Sequence, residues 1–192
     1  MNCKKLLSAF LLLSCICFGQ TNYYVATTGN NANSGSLAAP WKTIQYALNQ
    51  LPANSILNVF PGTYTEKISI PISNITLKNY SATLPIIDAT GLTGQDAIIA
   101  ITSKSNVTID GLELRNNIRL DAQGILMDGS GANNTIKNCK IHDIHFSSNV
   151  NAAVSETTNA QGIIVYGTSG TTAITNLKIQ NNELYNCRLG HS

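Results

Sequence analysis

The feature that most constrains the fold of this chain is a repeat of short segments with the pattern Ile/Leu-x-Asn/Gly. The four copies end at Asn79, Gly111, Asn138 and Asn181, with steps of 32, 27 and 43 residues between them. Repeats at a spacing of roughly 20 to 50 residues are typical of solenoids, in which each unit stacks on its neighbour. The chain is therefore expected to form one repetitive domain.

A second set of segments begins at Gln95, Gln123 and Gln161, with steps of 28 and 38 residues. Both sets lengthen in the same interval, so a single insertion accounts for both. Residues 144–160 are rich in Asn, Ser and Thr, which is typical of a loop. The insertion is therefore expected to be a loop between two strands.

Within each unit the apolar residues alternate with polar ones, which indicates β-strands. In one unit, the residues expected to point inward are Val107, Ile109, Leu112 and Leu114. Those expected to point outward are Thr108, Asp110, Glu113 and Arg115. The alternation shifts at Gly111, and an Asn occupies the same place in the other three units. Gly and Asn tolerate the left-handed backbone of a tight corner.

The same corner recurs once per unit, whereas antiparallel hairpins would require two-residue turns between adjacent strands. The strands are therefore expected to be parallel and to belong to successive coils. The sequence predicts an all-β fold, a right-handed parallel β-helix (solenoid). Residues 56–192 are expected to form its rungs, incomplete at the C-terminus.

Residues 41–51 carry an apolar stripe that predicts a capping helix of three turns. Ile44, Leu48 and Leu51 fall at positions i, i+4 and i+7, with a proline on either side of the segment. The end of a solenoid exposes core residues and unpaired strand edges. Residues 20–55 are therefore assigned to an N-terminal strand and an amphipathic capping helix that covers the first rung.

Residues 1–19 have the pattern of a secretory signal peptide. A basic start is followed by an apolar run over 6–18, and small residues precede a cleavage point before Gln20. The run is shorter than the about 20 residues that a membrane-spanning helix needs. An alternative is lipid attachment at Cys15, because residues 12–15 (LLSC) resemble a lipoprotein box. The protein is expected to be exported and to be extracellular or at the cell surface, without a transmembrane segment.

The charge balance excludes two classes of partner. Lys4 and Lys5 account for the formal net charge of +2, so the exported part is neutral. A nucleic-acid-binding domain carries a basic patch, and a membrane-surface protein carries a polybasic segment. Neither partner is expected, and the chain is expected to be a monomer.

Two cysteines, Cys139 and Cys187, remain after export. The repeat places them five positions apart along neighbouring coils, which is about 15 Å at the rise of a strand. A disulfide needs Cα atoms within about 7 Å. Both are therefore expected to be buried thiols.

Three stretches of the exported part carry a recognisable pattern: 23–29 (YYVATTG), 35–48 (GSLAAPWKTIQYAL) and 59–66 (VFPGTYTE). Together they resemble the opening of secreted bacterial right-handed parallel β-helix proteins of the pectate-lyase-like superfamily, especially the family 9 polysaccharide lyases and their relatives. The match covers residues 23–66 in detail and 67–192 in the style of the repeat. It implies the β-helix fold, export, and an N-terminal fragment of a longer protein.

The resemblance also implies a lyase that cleaves uronate-containing, acidic polysaccharide by β-elimination. In the similar lyases a Lys removes the proton beside the uronate carboxylate, and Ca²⁺ held by clustered Asp residues neutralises that carboxylate. The Asp residues of this chain are scattered, whereas Ca²⁺ takes about six to eight oxygen ligands. The catalytic residues are therefore unknown and expected beyond Ser192. Ca²⁺ is expected only in the full-length protein, and no metal site is expected in residues 1–192.

The strand after the insertion predicts a sugar-binding groove on its outward side. Aligning the three Gln residues gives two outward columns, Ile98/Leu126/Ile164 and Ala100/Asp128/Tyr166. Binding residues concentrate on loops over a rigid scaffold. The predicted binding residues are Tyr166 for stacking on a sugar ring, with Asp128, His145 and Glu156 for polar contacts. The alternative is a solvated face with one exposed Tyr.

A second outward face follows from the same alignment. Its columns are Glu113/Lys140/Glu183 and Arg115/His142/Tyr185, which suit a ladder of surface charges. His142 and His145 are three residues apart, and this spacing does not place both on one face of a strand. A metal site there is not expected.

Two other functions stay open at this point. A non-catalytic solenoid could bind glycans or serve as a surface or adhesion module. A β-helix glycoside hydrolase would use a pair of carboxylates as acid and base or nucleophile. Carboxylates in register on later rungs would distinguish these alternatives.

Overall fold

The structure is a computed structural model. It describes residues 19–149, 151–154, 158–167 and 173–188. The predicted signal peptide, apart from Gly19, lies outside these residues.

The described residues form short strands and one short helix. In chain order they are β1 (Thr21–Val25), α1 (Ile44–Gln50), β2 (Ser55–Val59), β3 (Thr63–Tyr64), β4 (Ile68–Ser69), β5 (Ile75–Asn79), β6 (Ile86–Asp88), β7 (Ala97–Thr102), β8 (Val107–Asp110), β9 (Glu113–Ile118), β10 (Ala122–Gly129), β11 (Gly131–Ala132), β12 (Thr135–Lys137), β13 (Lys140–His145), β14 (Ala160–Gly167), β15 (Ile174–Thr175), β16 (Lys178–Gln180) and β17 (Glu183–Arg188).

The strands pair in parallel into three long sheets. Sheet 1 has the order β1-β2-β5-β8-β12-β16, sheet 2 the order β17-β13-β9-β6-β3, and sheet 3 the order β14-β10-β7-β4. A two-stranded sheet, β11-β15, joins two of the turns. Each coil contributes one strand to sheet 1, then sheet 2, then sheet 3, and the next coil stacks on it. The predicted right-handed parallel β-helix is confirmed.

The predicted corner is stacked, with one correction. Strand pairing places Lys78, Asp110, Lys137 and Gln180 in one column, so the residues that follow them also lie above one another. A Cβ atom at Gly111 would lie 2.5 Å from Oδ1 of Asn79, which shows how closely two coils approach here. Gly111, Asn138 and Asn181 have positive φ, as predicted. Asn79 does not, because its backbone continues the pairing of β5 with Val59 of β2.

A second Asn corner, not predicted from the sequence, precedes sheet 1. Asn74, Asn106, Asn133 and Asn176 all have positive φ. Their side-chain amides form a ladder, in which each Nδ2 donates to Oδ1 of the Asn one coil below at 2.7, 3.1 and 2.6 Å. The ladder satisfies polar groups that a tight corner would otherwise leave unpaired.

The inward and outward faces predicted around Gly111 are confirmed. Val107, Ile109, Leu112 and Leu114 are fully buried. Their polar neighbours on the same strands remain partly exposed. Because the same columns recur in every coil, the core is a continuous stack of Ile, Leu and Val side chains, and burial of such side chains is the main favourable term in folding.

The predicted register of β7 is wrong by two residues. Gln123 pairs with Ala97, not with Gln95, so Asp128 pairs with Thr102 and Leu126 with Ala100. A shift of two keeps most side chains on their predicted faces, because the period of a strand is two. Ile98 is an exception, since it is fully buried in the core rather than in an outward column, and Ile164 of the same predicted column is also buried.

The capping helix is shorter than predicted. It begins at Ile44, because Trp41 is held in strand-like pairing with Val25. Its first two backbone N–H groups donate to the carboxylate of Glu66, from Ile44 at 2.8 Å and from Gln45 at 2.9 Å. Ile44, Ala47 and Leu48 are buried against the core. The helix therefore covers the first coil, and Glu66 of that coil supplies its N-terminal cap.

At the other end of the stack, inward-facing aliphatic residues are exposed. Val165, Ile179 and Leu184 have exposed fractions of 39%, 48% and 45%, and no described residue stacks on them. No helix in the described part of the chain has both the length and the hydropathy of a membrane-spanning segment.

The two described cysteines are free, Cys139 buried and Cys187 half-buried. Burial raises the pKa of Cys139 to about 11. The thiolate is the reactive form, so we expect Cys139 in the folded protein to resist alkylation by iodoacetamide at pH 8 and to react fully in urea. Mass spectrometry of the alkylated peptides measures this, and rapid labelling of Cys139 in the native protein would contradict the buried position.

Candidate functional site

An open groove of about 680 Å³ runs across the outer face of sheet 3. Its residues come from four successive coils, which is why they are far apart in sequence. They are Ser69, Gln95, Asp96, Ala97, Ala100, Thr102, Gln123, Leu126, Asp128, Tyr166 and Gly167. A surface that crosses several coils is suited to an extended ligand that contacts each coil in turn.

Asp128 and Tyr166 lie side by side in this groove. They are paired on adjacent strands β10 and β14, and Thr102 of β7 continues the column. The ring of Tyr166 is 45% exposed. One carboxylate oxygen of Asp128 accepts the N–H of Gly129 at 2.6 Å, which fixes the side chain. The groove therefore offers an aromatic face beside an oriented acceptor.

One rim of the groove is held by Gln95. Its side-chain Oε1 accepts the hydroxyl of Ser69 at 2.7 Å, and its Nε2 donates to the carbonyl groups of Ile68 and Ala97, both at 2.9 Å. These bonds join two coils. Gln95 therefore shapes the rim through bonds within the protein.

Charged groups that the sequence analysis did not single out lie at the same rim. Arg119 forms an ion pair with Asp96, at 2.8 Å between Nη2 and Oδ1, and donates to the carbonyl of Gln95 at 2.9 Å. The ammonium of Lys67 donates to the same carbonyl at 3.0 Å. Burial, and then the charge of Arg119, lowers the pKa of Lys67. No sequence spacing joins these residues, because each comes from a different coil.

Gln123 of β10 lines the groove, and Gln161 of β14 is stacked on it in the next coil. The Oε1 atom of each is buried and has no hydrogen-bond partner among the described atoms. Unpaired buried acceptors cost free energy, typically about 1 to 3 kcal/mol. Of the two, Gln123 lines the groove, although its position in the sequence marked only the repeat.

The other two predicted binding residues are not in this groove. His145 ends β13 in sheet 2 and lines a separate pocket with Ile118, Phe146 and Arg188. Glu156 lies outside the described residues. The structure thus brings together Asp128 and Tyr166 and leaves His145 on the neighbouring sheet.

The outer face of sheet 2 carries the columns expected from the sequence. Lys140 pairs with Glu113 and Glu183, and His142 pairs with Arg115 and Tyr185. The imidazole of His142 stacks on the ring of Tyr185, with centroids 4.7 Å apart. The outward residues of sheet 2 are therefore connected to one another by contacts along the surface.

The strand geometry around His142 differs from the expectation. Asp143 has a φ of 55°, and its carboxylate lies 2.6 Å from Nδ1 of His142 and 3.8 Å from Nε2 of His145. The left-handed residue interrupts the alternation, so both imidazoles reach one carboxylate. Hydrogen bonds and charge from His142, together with Asn186, lower the pKa of Asp143 against the effect of burial.

The described residues do not fit a calcium ion. Within them, no group of three or more His, Cys, Asp or Glu side chains is arranged to hold a metal. The carboxylates of Asp96 and Asp128 in the groove are each engaged within the protein. No step that depends on Ca²⁺ is therefore assigned to these residues.

Comparison with known families gives one match. The model of a family described as a protein of unknown function, DUF1565, matches residues 27–73, which include the capping helix and the first coil. No curated protein matches the chain at a significant level.

Solved structures similar to this chain include enzymes named for carbohydrate substrates. The GH136 lacto-N-biosidase from Eubacterium ramulus superposes with a TM-score of 0.67 at 16% identity, over 85% of this chain and 34% of that one. A rhamnogalacturonan lyase gives 0.54 at 16% identity, over 87% of this chain and 54% of that one. The pectate lyase Pel9A gives 0.52 at 22% identity, over 65% and 34%.

The chain thus spans about a third to a half of the length of these structures. Identities of this size report on the fold and not on the reaction. The stacked Asn and Gly corners, the parallel sheets and these neighbours together show that the chain has a right-handed parallel β-helix fold.

Proposed function

We propose that this chain is part of a secreted polysaccharide lyase and that it binds a uronate-containing polysaccharide along the groove of sheet 3. The observation that carries the proposal is the pairing of Asp128 with the exposed ring of Tyr166 in a groove that crosses four coils. The fold, which the chain shares with a pectate lyase and a rhamnogalacturonan lyase, supports the substrate class.

The groove has the chemistry of a sugar-binding surface. Aromatic rings contribute large contact areas, and the polar tip of Tyr166 stays hydrated at the rim. Asp128 accepts hydrogen bonds from sugar hydroxyl groups, and Leu126 and Ala100 form an apolar floor between coils. Sites that combine apolar lining with a few oriented polar groups are typical of ligand binding.

The reaction proposed for the whole protein is β-elimination. A base removes the proton from the carbon beside the uronate carboxylate, a C=C bond forms to the next carbon, and the C–O bond of the leaving sugar breaks. The leaving oxygen then takes up a proton. In this reaction the described residues bind the polysaccharide, and none of them is assigned the role of the base.

We expect the purified chain to release no unsaturated uronate from polygalacturonate, with or without added Ca²⁺. Ultraviolet absorbance of the unsaturated product measures this, and a pectate lyase acting on the same substrate is the positive control. Turnover by this chain would place the base within residues 1–192. New reducing ends without unsaturated product would support a hydrolase instead.

Replacement of Tyr166 by Ala tests the groove. We expect Tyr166→Ala to weaken binding of oligogalacturonate about tenfold, because loss of one central aromatic contact typically costs more than about 1 kcal/mol. Tyr166→Phe keeps the ring and is expected to bind nearly as well as the natural protein. Isothermal titration calorimetry measures both affinities.

A matched control is Tyr80→Ala, because Tyr80 is 44% exposed on a different part of the surface. It is expected to leave binding unchanged. If Tyr166→Ala and Tyr80→Ala have the same affinity as the natural protein, the groove of sheet 3 is not the binding surface. Equal binding of neutral galactan would contradict the acidic substrate class.

A further inference from the structure

A second pocket lies where the strands of sheet 2 end. It has a volume of about 240 Å³ and is lined by Ile118, His145, Phe146, Ser147, Ser148, Asn149 and Arg188. Ile118, His145 and Arg188 are paired on the adjacent strands β9, β13 and β17, and the other four residues follow β13 directly. This volume corresponds to about eight molecules of liquid water, which gives room for one sugar ring.

Arg188 differs from the other two arginines of the chain. Arg115 is paired with Asp88 at 2.8 Å, and Arg119 is paired with Asp96 at 2.8 Å. Among the described residues, Arg188 has no carboxylate partner within 4.0 Å, and its Nε donates to Nδ1 of His145 at 3.4 Å. Its guanidinium therefore keeps the paired N–H groups that suit a carboxylate or sulfate.

The remaining walls supply both hydrogen-bond donors and apolar surface. The hydroxyl of Ser147 accepts the N–H of Asn149 at 3.1 Å, which leaves its own proton for donation. Oδ1 of Asn149 accepts the N–H of Asn151 at 3.0 Å, which leaves the amide N–H groups of that side chain. Ile118 and Phe146 form the apolar side, and none of the lining residues is a carboxylate.

We propose that this pocket binds one acidic sugar unit, with the oxyanion on Arg188, the sugar hydroxyls on Ser147, Ser148 and Asn149, and the apolar face of the ring against Ile118 and Phe146. The inference rests on the proposed function for the acidic glycan and goes beyond it, since it names a second place where the charged group of that glycan is held. It concerns a site separate from the groove of sheet 3.

His145 provides a built-in reporter of the bound anion. Burial and the charge of Arg188 lower the pKa of His145, and Asp143 opposes them from 3.8 Å. On the other side of His145, strand β9 places the uncharged Ile118 next to this residue. An anion on Arg188 offsets the charge of the guanidinium, so the pKa of His145 rises when the pocket fills.

The experiment is an NMR titration of the His145 imidazole in the folded protein, with galacturonate, galactose and acetate as probes. The chain has three His residues, and substitution of His142 and His191 assigns the signals. Galacturonate is expected to raise the His145 pKa and to bind at least tenfold more tightly than galactose or acetate. Galactose carries no anion, and acetate carries no ring.

Two substitutions complete the test. Arg188→Gln is expected to weaken galacturonate binding at least tenfold and, by itself, to raise the pKa of His145. Lys178→Gln removes an exposed cation of β16 and is expected to change neither. Galacturonate binding that survives Arg188→Gln would overturn the proposal. Acetate binding as tight as galacturonate would overturn the sugar site and leave a simple anion site.

The two proposals fail separately. Tyr166→Ala is expected to leave the response of His145 to galacturonate unchanged, whereas Arg188→Gln is expected to abolish that response. Loss of the His145 response with intact binding of oligogalacturonate in the groove would reject the pocket alone. A normal His145 response with no effect of Tyr166→Ala on oligosaccharide binding would reject the groove alone.

Discussion

Replacing Asn106 by Ala is expected to lower the free energy of unfolding by about 2 to 4 kcal/mol. Asn106 has a φ of 55° and occupies the middle of the Asn ladder, where it donates to Asn74 and accepts from Asn133. Ala disfavours this left-handed backbone and offers no amide. Two partners therefore lose their hydrogen bonds at a corner that every coil uses.

Urea unfolding measured by circular dichroism gives the free energy of unfolding for this test. Asn106→Gly keeps the conformational freedom but not the amide, so about half of the loss is expected. Asn49→Ala alters an exposed Asn of α1 and is expected to change stability by less than about 0.5 kcal/mol. Equal stabilities of Asn106→Ala and Asn49→Ala would show that the ladder contributes nothing.

The second large effect concerns the cap at the first coil. Glu66→Ala is expected to cost about 2 to 3 kcal/mol, because the two N–H groups that begin α1 lose their acceptor in a partly buried place. Glu66→Gln keeps one acceptor oxygen and is expected to cost about 1 kcal/mol. Hydrogen exchange of the amides of Ile44 and Gln45 is expected to accelerate in both variants.

The control is Glu183→Gln, which alters an exposed carboxylate of β17 and is expected to leave stability unchanged. Slow exchange at Ile44 in Glu66→Ala would show that another group caps the helix. Thr43 does not provide that alternative, because its side chain makes no capping hydrogen bond.

Glu66 also predicts a pH dependence. Burial raises the pKa of Glu66 above its usual value, against the lowering effect of the two N–H groups. A raised pKa means that its contribution to stability is present below the unfolded-state pKa and is lost as pH rises through the folded-state pKa. The stability of the natural protein relative to Glu66→Gln is therefore expected to be larger at pH 4 than at pH 7. Thermal unfolding of both proteins at the two pH values measures this difference.

Several features of the fold followed from the sequence because they depend on local chemistry. The period of two around Gly111 predicted which side chains are buried, and the recurring Asn or Gly predicted stacked corners. The column of Asp128 and Tyr166 followed from the same repeat. These predictions need only the periodicity of a strand and the backbone preferences of Gly and Asn.

Other features depended on the exact register between neighbouring coils or on the local backbone conformation. The sequence pattern did not indicate these features. The register of β7 shifted by two residues, because a strand displaced by two keeps its buried face and both pairings satisfy the alternation. The cluster of His142, Asp143 and His145 lies within one strand, but the left-handed backbone of Asp143 breaks the period of two on which the prediction depended. The Asn residues of the ladder before sheet 1 repeat with the same spacing as the predicted corner. Only the stacked side-chain amides in the structure show that they form a second corner.

The sequence by itself determined that the chain coils, where one corner of each coil falls, and which side chains around that corner form the core. Periodic burial and left-handed corners are properties of single segments, and they repeat along the chain. Only the tertiary structure decided that Glu66 caps α1, that Lys67, Asp96 and Arg119 meet at one rim, and that His145 shares a pocket with Arg188. Each of these sets joins residues from different coils, and their contacts depend on distances across the stack that no spacing along the chain encodes.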